Sequence, residues 1–430
     1  MKKDLKIIRY LLVILCGIAV FYLLNFIFNG IFFQNVFLND PYDTFMDFFN
    51  PINTEKFEPY YDLHTSYPAL PCIIFRIFLQ FVPKEFQEVN RVGYDFRTTQ
   101  MSMIVFIAFN IIIIWSISAI VRHKCKLNQK EQSVLILAML LSMPFMFALE
   151  RGNIILLSFV FSLFFCAYFD SPQKWVREMA YIALAIAAAI KIYPAILGLL
   201  VVKKGKIKEC LHLVIYGILF FFLPFWYFDG IGSFIMLIKD LRYTGNGIYS
   251  GYGMNVSLNN LSKTFAAICN INFNDNLIKV IYILTVILLL FAFVMLEEKW
   301  KKELVLVMFI ILLPKTNYYY VLLYLFIPFI EFLNYCKNSD LSHTGEDKKY
   351  AVLFALIFIP WASGRIQKLS ESVRYYVTYS MLINYLAVCG IVLLLFKESI
   401  IKKYPDLKYI NLLDVIGIFL GAVIFLCTLL

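Results

Sequence analysis

Charged side chains are scarce in this sequence of 430 residues, because Asp, Glu, Lys and Arg together make up only 16% of it. Soluble domains carry about 25% charged residues. Apolar residues reach 61% and aromatic residues 18%, and no water-soluble globule could bury so large an apolar excess. The scarcity of charge therefore excludes a secreted enzyme, a nucleic-acid-binding domain and a disordered chain. The composition indicates an integral membrane protein, with Phe and Tyr rings suited to the membrane interfaces.

Patterned cysteines are also missing, although the chain contains nine cysteines. No C-x-x-C pair occurs, and only Cys72 and Cys269 fall on the predicted outer side of the membrane. This usage indicates neither a disulfide framework nor a zinc site. The sequence has no glycine-rich nucleotide-binding loop either. We therefore expect no metal ion and no cofactor.

A signal-peptide cleavage site is missing after the basic N-terminus. Lys2, Lys3, Lys6 and Arg9 precede an apolar stretch that continues to about Phe28. This stretch is longer than the apolar region of a signal peptide, and no A-x-A-like site follows it. It is therefore predicted to remain as the first membrane helix. More than half of the 39 Lys and Arg residues lie in short segments between apolar runs, and the positive-inside rule places those segments and the N-terminus in the cytoplasm.

The alternation of apolar runs and short loops predicts an all-α polytopic membrane protein with about 11–13 transmembrane or half-membrane helices. Residues 1–430 are expected to form a single integral membrane domain, whose outer loops, residues 29–98 and 228–276, lie on the active-site side. The apolar run 67–82 is short and contains Arg76. We interpret it as an amphipathic helix in the outer interface, where the arginine can reach lipid headgroups.

Two long apolar stretches are interrupted by charge and proline. Lys191 and Pro194 interrupt the first, and Pro314 and Lys315 interrupt the second. Because proline lacks a backbone N–H and breaks a helix, each stretch is predicted to form two half-length helices that meet at membrane depth. A continuous helix is predicted over residues 133–149.

Three carboxylates follow the first helix within eight residues, at Asp40, Asp43 and Asp47. A carboxylate held just above the bilayer can act as a general base that takes a proton from an attacking hydroxyl group. A solvated acidic loop would contain the same residues. The aromatic residues around these acids favour a partly enclosed site.

Three cations, Arg151, Lys191 and Lys315, fall at or near membrane depth beside helix interruptions. A cation at the bilayer centre costs about 2.5–3.5 kcal/mol on insertion scales, so each should face water, a partner or an anion. Together they could bind a phosphate or pyrophosphate whose lipid tail stays in the bilayer. Each could instead pair with Glu150 or extend to the interface.

The second outer loop contains six of the 18 glycines, several tyrosines and the asparagine-rich run 253–260. Such a segment could be a flexible lid whose amides and rings recognise a sugar. It could equally be a connector between two helices.

Six short motifs occur in the order found in a known family of membrane enzymes. They are an aspartate after the first helix, Tyr67-Pro68-Ala69-Leu70, Arg151-Gly152-Asn153, Ala189-Ile190-Lys191-Ile192-Tyr193-Pro194, Gly253-Met254-Asn255-Val256-Ser257-Leu258 and Leu313-Pro314-Lys315-Thr316-Asn317-Tyr318-Tyr319. This order resembles glycosyltransferase family 87, the polytopic mannosyl- and arabinosyltransferases of the GT-C superfamily. The resemblance covers roughly residues 40–330.

The resemblance implies a GT-C type fold and a membrane glycosyltransferase. The donor would be a mannose-like or other hexose or pentose on a polyprenyl phosphate, and the acceptor a glycan or glycolipid on the extracytoplasmic face of the cell membrane. The lipid-linked donor is a co-substrate, so that no cofactor is implied. Beyond these substrates we expect membrane lipids as partners and no nucleic acid.

The resemblance also implies roles for single residues. In the family a loop aspartate followed by aromatic residues acts as the base, which fits Asp47 best, Asp43 next and Asp40 third. The positions of Arg151 and Lys191 imply binding of the donor phosphate, and Lys315 joins them in this role. Amide and aromatic side chains within the motifs are assigned to the sugar or the acceptor, namely Asn153, Tyr193, Asn255, Asn259, Asn317 and Tyr319.

Two other functions are compatible with the same pattern. A secondary transporter or a flippase of lipid-linked sugars would also have two interrupted helices, but it needs accessible groups on both sides, whereas the acidic and glycine-rich loops are both predicted outside. An O-antigen-type polymerase would favour an arginine-rich outer loop. The loop after Phe228 contains only Lys239, Arg242 and Lys263 as cations.

Overall fold

The computed structural model describes residues 2–37, 42–54, 58–62, 64–87, 93–202, 206–246, 254–270, 275–338, 345–368, 376–407 and 414–417. Within these residues the chain is almost entirely helical. The sheet structure of the same residues is one two-stranded antiparallel ribbon, β1 (Arg365–Lys368) with β2 (Tyr376–Thr378). The prediction of an all-α protein is confirmed.

The α-helices follow in chain order as α1 (Lys2–Ile27), α2 (Met46–Thr54), α3 (Ala69–Leu79), α4 (Gly93–Arg97), α5 (Gln100–Lys124), α6 (Gln129–Leu141), α7 (Met143–Arg151), α8 (Ile155–Tyr168), α9 (Lys174–Ile190), α10 (Ile207–Phe222), α11 (Ile231–Asn246), α12 (Leu258–Cys269), α13 (Asp275–Met295), α14 (Lys299–Leu312), α15 (Phe326–Asn338), α16 (Gly345–Phe358) and α17 (Tyr379–Lys403). The longer 3₁₀ segments are Tyr193–Val201, Leu223–Tyr227 and Tyr319–Leu325.

Several helices are long and apolar enough to cross a membrane. In the part of the chain that the structure describes there are six, or seven if α6 and α7 form one broken span. The six are Ile7–Ile27, Gln100–Lys124, Ile207–Tyr227, Asn276–Met295, Tyr319–Lys337 and Tyr379–Lys403. The protein is therefore a multi-pass membrane protein. Among the described residues, α3 and α8 are shorter apolar helices.

Both predicted interruptions are present. α9 ends at Ile190, Lys191 is extended (φ −138°, ψ 122°), and Pro194 lies in the first turn of the 3₁₀ segment that follows. α14 ends at Leu312, just before Pro314. Proline has no N–H to donate to the preceding turn, so the helical hydrogen bond from residue 194 to Ile190 and the one from residue 314 to Ile310 cannot form, and both helices stop here.

The prediction of one continuous helix over 133–149 is wrong. The helix is broken at Ser142, an extended residue (φ −64°, ψ 154°) between α6 and α7. The Ser142 hydroxyl donates a 2.6 Å hydrogen bond to the carbonyl oxygen of Met139, and Pro144 occupies the first turn of α7. A carbonyl freed at the end of α6 is thus satisfied by a side chain.

Two other predicted helices have different outcomes. The run 67–82 forms the 11-residue helix α3, which is too short to cross a bilayer, and its place in the interface stays a prediction. The last predicted helix, near residues 409–430, lies outside the described residues except for 414–417.

The chain divides into two compact units. The first unit comprises Met1–Val36, Lys126–Pro144 and Ile248–Leu430. Its α1 packs against α6, α15 and α16, and its α14 is almost wholly buried against α13, α15 and α17. The rings of Phe326 and Phe358 stack with centroids 4.0 Å apart. Residues 304–312 of α14 are apolar on all sides of the helix, and such a segment has to be buried in this way.

The second unit comprises Phe37–Cys125 and Phe145–Gly247. Its centre is the alanine-rich helix α9, which packs between α8 and α10. Phe48, Phe75 and Phe106 belong to a buried aromatic cluster under α2. This cluster packs α2 against α3 and α5.

Candidate functional site

Arg151 is the last residue of α7, and a tight turn follows it. Gly152 has φ +66°, a left-handed conformation that glycine adopts without strain. Its N–H bonds the carbonyl of Leu149, and the N–H of Asn153 bonds the carbonyl of Ala148. This arrangement ends a helix by the usual glycine turn. The turn reverses the chain into α8 and leaves Arg151 and Asn153 beside the loop that contains Asp43 and Asp47.

The Arg151 guanidinium binds two aspartates of that loop. Its Nη1 donates to Asp43 Oδ2 at 2.6 Å and to the Asp43 carbonyl oxygen at 3.3 Å, and its Nη2 donates to Asp47 Oδ1. The arginine side chain is 12% exposed, whereas those of Asp43 and Asp47 are 34% and 21% exposed. Both carboxylates therefore meet solvent on one side and a fixed cation on the other.

Asn153 holds the second oxygen of Asp47. Its Nδ2 donates to Asp47 Oδ2 at 2.7 Å, while its Oδ1 accepts from the backbone N–H of Ile155 at 2.9 Å. The second bond satisfies one of the free N–H groups at the start of α8. It also fixes the orientation of the amide, so that the NH₂ group faces Asp47. Each Asp47 oxygen accepts one of these bonds and retains acceptor capacity.

The loop that carries the aspartates is fastened at several points. The N–H of Phe45 donates to the Glu150 carbonyl at 2.8 Å, and Arg97 Nη1 donates to the Thr44 carbonyl at 2.6 Å. Phe45 has φ +64°, which is a strained conformation for a residue with a side chain. Asp47 lies in the first turn of α2, where the helix dipole favours a negative charge.

Lys191 is brought to the same place from the end of α9. Its Nζ lies over the ring of Tyr67, 4.4 Å from the ring centroid, and it interacts electrostatically with Asp47. A lysine over an aromatic face gains a cation–π interaction, which helps to offset the loss of water. The extended conformation of Lys191 is what turns its side chain out of the helix register.

Tyr67 is a member of this site that the sequence assignment missed. Burial raises the pKa of its phenol, the Asp47 carboxylate raises it further, and Arg151 acts in the opposite direction. A side-chain hydrogen bond also joins Tyr67 to Asn153. The sequence did contain a signal for Tyr67 as a site residue, because it is the first residue of one of the six motifs. Nothing in the sequence linked that motif to Lys191.

A second cluster of motif residues lies in the first unit, around Lys315. The Lys315 side chain is exposed, while its carbonyl oxygen accepts from Ser257 Oγ at 3.0 Å and from Asn259 Nδ2 at 3.4 Å. Ser257 is also the N-cap of α12 and accepts from the N–H of Asn260. The start of α12 therefore fixes the backbone of Lys315.

Asn255 and Asn317 pair within this second cluster. The N–H of Asn317 donates to Asn255 Oδ1 at 3.0 Å, and Asn317 Nδ2 donates to the carbonyls of Ile310 and Ile311 at the end of α14. Both asparagines are buried, at 1% and 3% exposure. Their amides are used inside the protein in this structure, and their predicted binding of a sugar stays a prediction.

The structure thus brings some of the predicted site residues together. Asp43, Asp47, Arg151, Asn153 and Lys191 meet in the second unit. The others are distributed as follows: Lys315, Asn255, Asn259 and Asn317 in the first unit, Tyr319 buried at the start of its 3₁₀ segment, Tyr193 two residues after Lys191, and Asp40 outside the described residues. Within the described residues no group of three or more His, Cys, Asp or Glu side chains could hold a metal ion.

The helices define a multi-pass membrane protein, and its second unit contains the ion pairs of Arg151 with Asp43 and Asp47. A comparison with known families identifies the class of protein. Residues 95–314, just over half of the chain, match the model of Glycosyltransferase family 87. The chain belongs to this family and is a membrane glycosyltransferase. The match includes Arg151, Asn153 and Lys191 and begins after the two aspartates. No curated protein and no solved structure matches the chain.

The turn at Gly152 gives the first testable prediction. A Cβ at Gly152 would lie 2.9 Å from the Phe45 carbonyl oxygen and 3.1 Å from Phe45 Cα. We expect Gly152→Ala to lower stability by about 1–3 kcal/mol or more, since it adds a clash to the strain of a positive φ. Thermal unfolding in detergent measures the effect.

Gly230→Ala is the matched control for this prediction, because Gly230 has φ +58° and open space around its Cα. It carries the conformational strain without the clash. Equal losses of melting temperature in the two variants would mean that the contact between Gly152 and the aspartate loop is not close.

Proposed function

We propose that this glycosyltransferase moves a hexose or pentose from a polyprenyl monophosphate to a hydroxyl group of a glycan or glycolipid. The transfer takes place on the extracytoplasmic side of the membrane. Asp47 is the general base, and Lys191 binds the donor phosphate. The observation that carries the proposal is the Asp47 carboxylate, which Arg151 and Asn153 hold from one side while its side chain stays 21% exposed.

The support for Asp47 as the base is geometric. A general base needs a fixed orientation and a free direction in which to accept the proton. Arg151 and Asn153 provide the orientation, because each donates to a different Asp47 oxygen. Asp43 shares the same guanidinium and is more exposed than Asp47, at 34% against 21%. The donation from Asn153 to the second Asp47 oxygen is the observation that favours Asp47.

The proposed step is a single displacement. Asp47 takes the proton of the acceptor hydroxyl, and the acceptor oxygen forms a bond to the anomeric carbon of the sugar. The bond between that carbon and the phosphate oxygen breaks, and its electron pair leaves with the polyprenyl phosphate. The phosphate gains one negative charge in this step. Lys191 stabilises that charge, which is the kind of electrostatic contribution that usually dominates such reactions.

The support for a lipid-linked donor comes from the surroundings of Lys191. An apolar cavity of about 300 Å³ lies between α9, the 3₁₀ segment Tyr193–Val201 and α10. Small residues form much of its wall, among them Ala188, Ala195 and Gly217. Lys191 itself is not in the cavity wall, but it lies in the chain between Ala188 and Ala195, which are. A cation at a helix break between residues that line an apolar cavity suits a ligand with a phosphate head and a hydrocarbon tail.

The base is tested with Asp47→Asn. We expect transfer from a panel of polyprenyl-phosphate hexoses and pentoses to fall by about 10²–10⁴-fold, because the amide cannot accept the proton. The assay follows radiolabelled sugar in reconstituted membranes. Melting temperature and size-exclusion profile check that the variant is folded.

Asp43→Asn is the matched comparison, since it also removes one carboxylate from Arg151. We expect a smaller loss than in Asp47→Asn. Full activity of Asp47→Asn together with loss in Asp43→Asn would move the role of base to Asp43.

The donor phosphate is tested with Lys191→Met, which keeps the length of the side chain and removes its charge. We expect weaker binding of a polyprenyl monophosphate and little change in binding of a soluble acceptor analogue. Lys239→Met removes an exposed lysine of α11 and should leave both affinities unchanged. Unaltered affinity of Lys191→Met for the lipid phosphate would argue against the phosphate site.

The membrane side of the site is tested with single cysteines in a background that lacks the native ones. Asp62 is exposed in the first outer loop, and Lys130 is exposed in the first turn of α6, in a basic segment predicted to be cytoplasmic. Asp62→Cys should react with an impermeant thiol reagent added outside intact cells, and Lys130→Cys should react only after lysis. The reverse pattern would place the site on the cytoplasmic face.

A further inference from the structure

Tyr67 lies two residues before α3, outside residues 95–314 that match the family. Its backbone is held at both ends, because its N–H donates to Thr65 Oγ1 at 3.3 Å and its carbonyl oxygen accepts from the Tyr60 hydroxyl at 3.1 Å. Tyr60 is fully buried, and its ring packs against Phe225 with centroids 5.7 Å apart. The backbone of Tyr67 is therefore fixed to the interior of the second unit.

The Tyr67 ring has a fixed orientation as well. It packs edge-to-face against Phe75 of α3, with ring centroids 5.8 Å apart, and the Lys191 Nζ atom lies 4.4 Å from the Tyr67 centroid. A lysine side chain is long and flexible and can adopt many positions. Because an aromatic face attracts an ammonium group, the ring restricts Lys191 to one of them.

The ring competes with Asp47 for the same ammonium group. Lys191 interacts electrostatically with Asp47, and an ammonium group released beside a carboxylate forms a charge-assisted hydrogen bond with it. Such a pair would draw the cation away from a donor phosphate and would add a further donor to the proposed base. While Lys191 lies over the Tyr67 ring, the cation and the carboxylate both stay available.

The hydroxyl group of Tyr67 contacts a different residue. A side-chain hydrogen bond joins it to Asn153, whose Nδ2 donates to Asp47 Oδ2 at 2.7 Å. The Asn153 Oδ1 atom accepts from the N–H of Ile155 at the start of α8. The Asn153 amide is thus held by both Tyr67 and α8 while it donates to Asp47.

We propose that Tyr67 is a positioning residue with two separate tasks. Its ring holds the Lys191 ammonium in place for the phosphate of the donor, and its hydroxyl holds the Asn153 amide against Asp47. The inference rests on the proposed function, because the roles of Lys191 and Asp47 come from there. The ring therefore acts on donor binding, and the hydroxyl acts on the chemical step.

Tyr67→Phe tests the hydroxyl, because it keeps the ring. The phenylalanine ring also attracts an ammonium group, so the affinity for a polyprenyl monophosphate should change by less than about twofold. Turnover at saturating donor should fall about fivefold, as the loss of one hydrogen bond predicts, because the amide that orients Asp47 is held less firmly. Unchanged turnover would overturn the task of the hydroxyl.

Tyr67→Leu removes the ring as well as the hydroxyl. We expect its donor affinity to fall about fivefold below that of Tyr67→Phe, which is the size of one partly desolvated cation–π interaction. Turnover should fall at least as much as in Tyr67→Phe. Equal donor affinities of the two variants, each checked by its melting temperature, would overturn the task of the ring.

Two double-mutant cycles test the partners of Tyr67. If the ring acts through Lys191, Tyr67→Leu combined with Lys191→Met binds the lipid phosphate no more weakly than Lys191→Met alone. If the hydroxyl acts through Asn153, Tyr67→Phe adds no loss of turnover to Asn153→Ala. Additive losses in either cycle would overturn the corresponding task.

Tyr168 provides matched controls in the same unit, because it makes the same two kinds of contact at the other end of α8. Lys124 Nζ lies 4.1 Å from its ring centroid, and its hydroxyl lies 2.8 Å from His123 Nδ1. The 14 residues of α8 separate it from Asn153 by about 20 Å. Tyr168→Phe and Tyr168→Leu should leave donor affinity and turnover unchanged. Losses as large as those at Tyr67 would mean a general loss of stability and would overturn the proposal.

The failure of the proposed function has a different signature. If Lys191→Met binds the lipid phosphate as tightly as the wild-type protein, Lys191 is not a phosphate ligand. The task of the ring is then read from Lys191 itself, as the rate at which acetic anhydride acetylates its amine, resolved by mass spectrometry. A changed rate in Tyr67→Leu with an unchanged rate in Tyr67→Phe supports the positioning, and equal rates in all three proteins refute it.

The task of the hydroxyl also has a readout that does not depend on the base. If Asp47→Asn keeps full activity, the contact of Tyr67 with Asn153 is read from the melting temperatures of Tyr67→Phe, Asn153→Ala and the double variant. Non-additive losses support the contact, and additive losses refute it.

Discussion

The ion pairs of Arg151 with Asp43 and Asp47 are the interaction on which the rest of the site depends. They join segments that are 108 and 104 residues apart in the chain. Removing the guanidinium would take the shared cation from two partly buried carboxylates, which is more costly than losing an exposed ion pair. Asn153 and Lys191 both act on Asp47, and Tyr67 contacts both of them. Each of these contacts presupposes that Arg151 holds Asp47 in place.

Helix breaks place the charged residues, and side chains satisfy the backbone groups that the breaks expose. At the end of α14 the Asn317 amide bonds the carbonyls of Ile310 and Ile311. At the end of α7 the Gly152 turn uses backbone groups alone. In an apolar environment every such group needs a partner. This requirement explains why asparagine and glycine accompany the cations in the motifs.

The sequence predicts the class of fold and the breaks well, because hydropathy and proline act locally. Pro194 and Pro314 each lie near a lysine within a long apolar stretch, so the interruptions beside Lys191 and Lys315 could be located, although Pro51 lies inside α2 without ending it. The break at Ser142 was not predicted although Pro144 follows it, because the run around it stays apolar and contains no charged residue beside the proline. The pairing of Arg151 with Asp43 and Asp47 is a tertiary contact. The sequence alone indicated that Arg151 is a cation near membrane depth, but it did not identify the carboxylates that bind it. The burial of Asn255 and Asn317 could not be predicted either, because the sequence does not distinguish an asparagine that binds a sugar from one that stabilises a loop.

The site in the second unit contains two cations, Arg151 and Lys191, and two carboxylates, Asp43 and Asp47, so its formal charges cancel before any substrate binds. In the proposed reaction Asp47 loses its negative charge when it takes the proton, and the departing phosphate gains one. The reaction therefore displaces a charge across the site without changing the total. When Asp47 is protonated, its ion pair with Arg151 weakens. In the same step Lys191 meets a phosphate that has gained one negative charge. An apolar surrounding opposes the creation of net charge far more than its displacement, so a balanced cluster of this kind suits chemistry at a partly buried site.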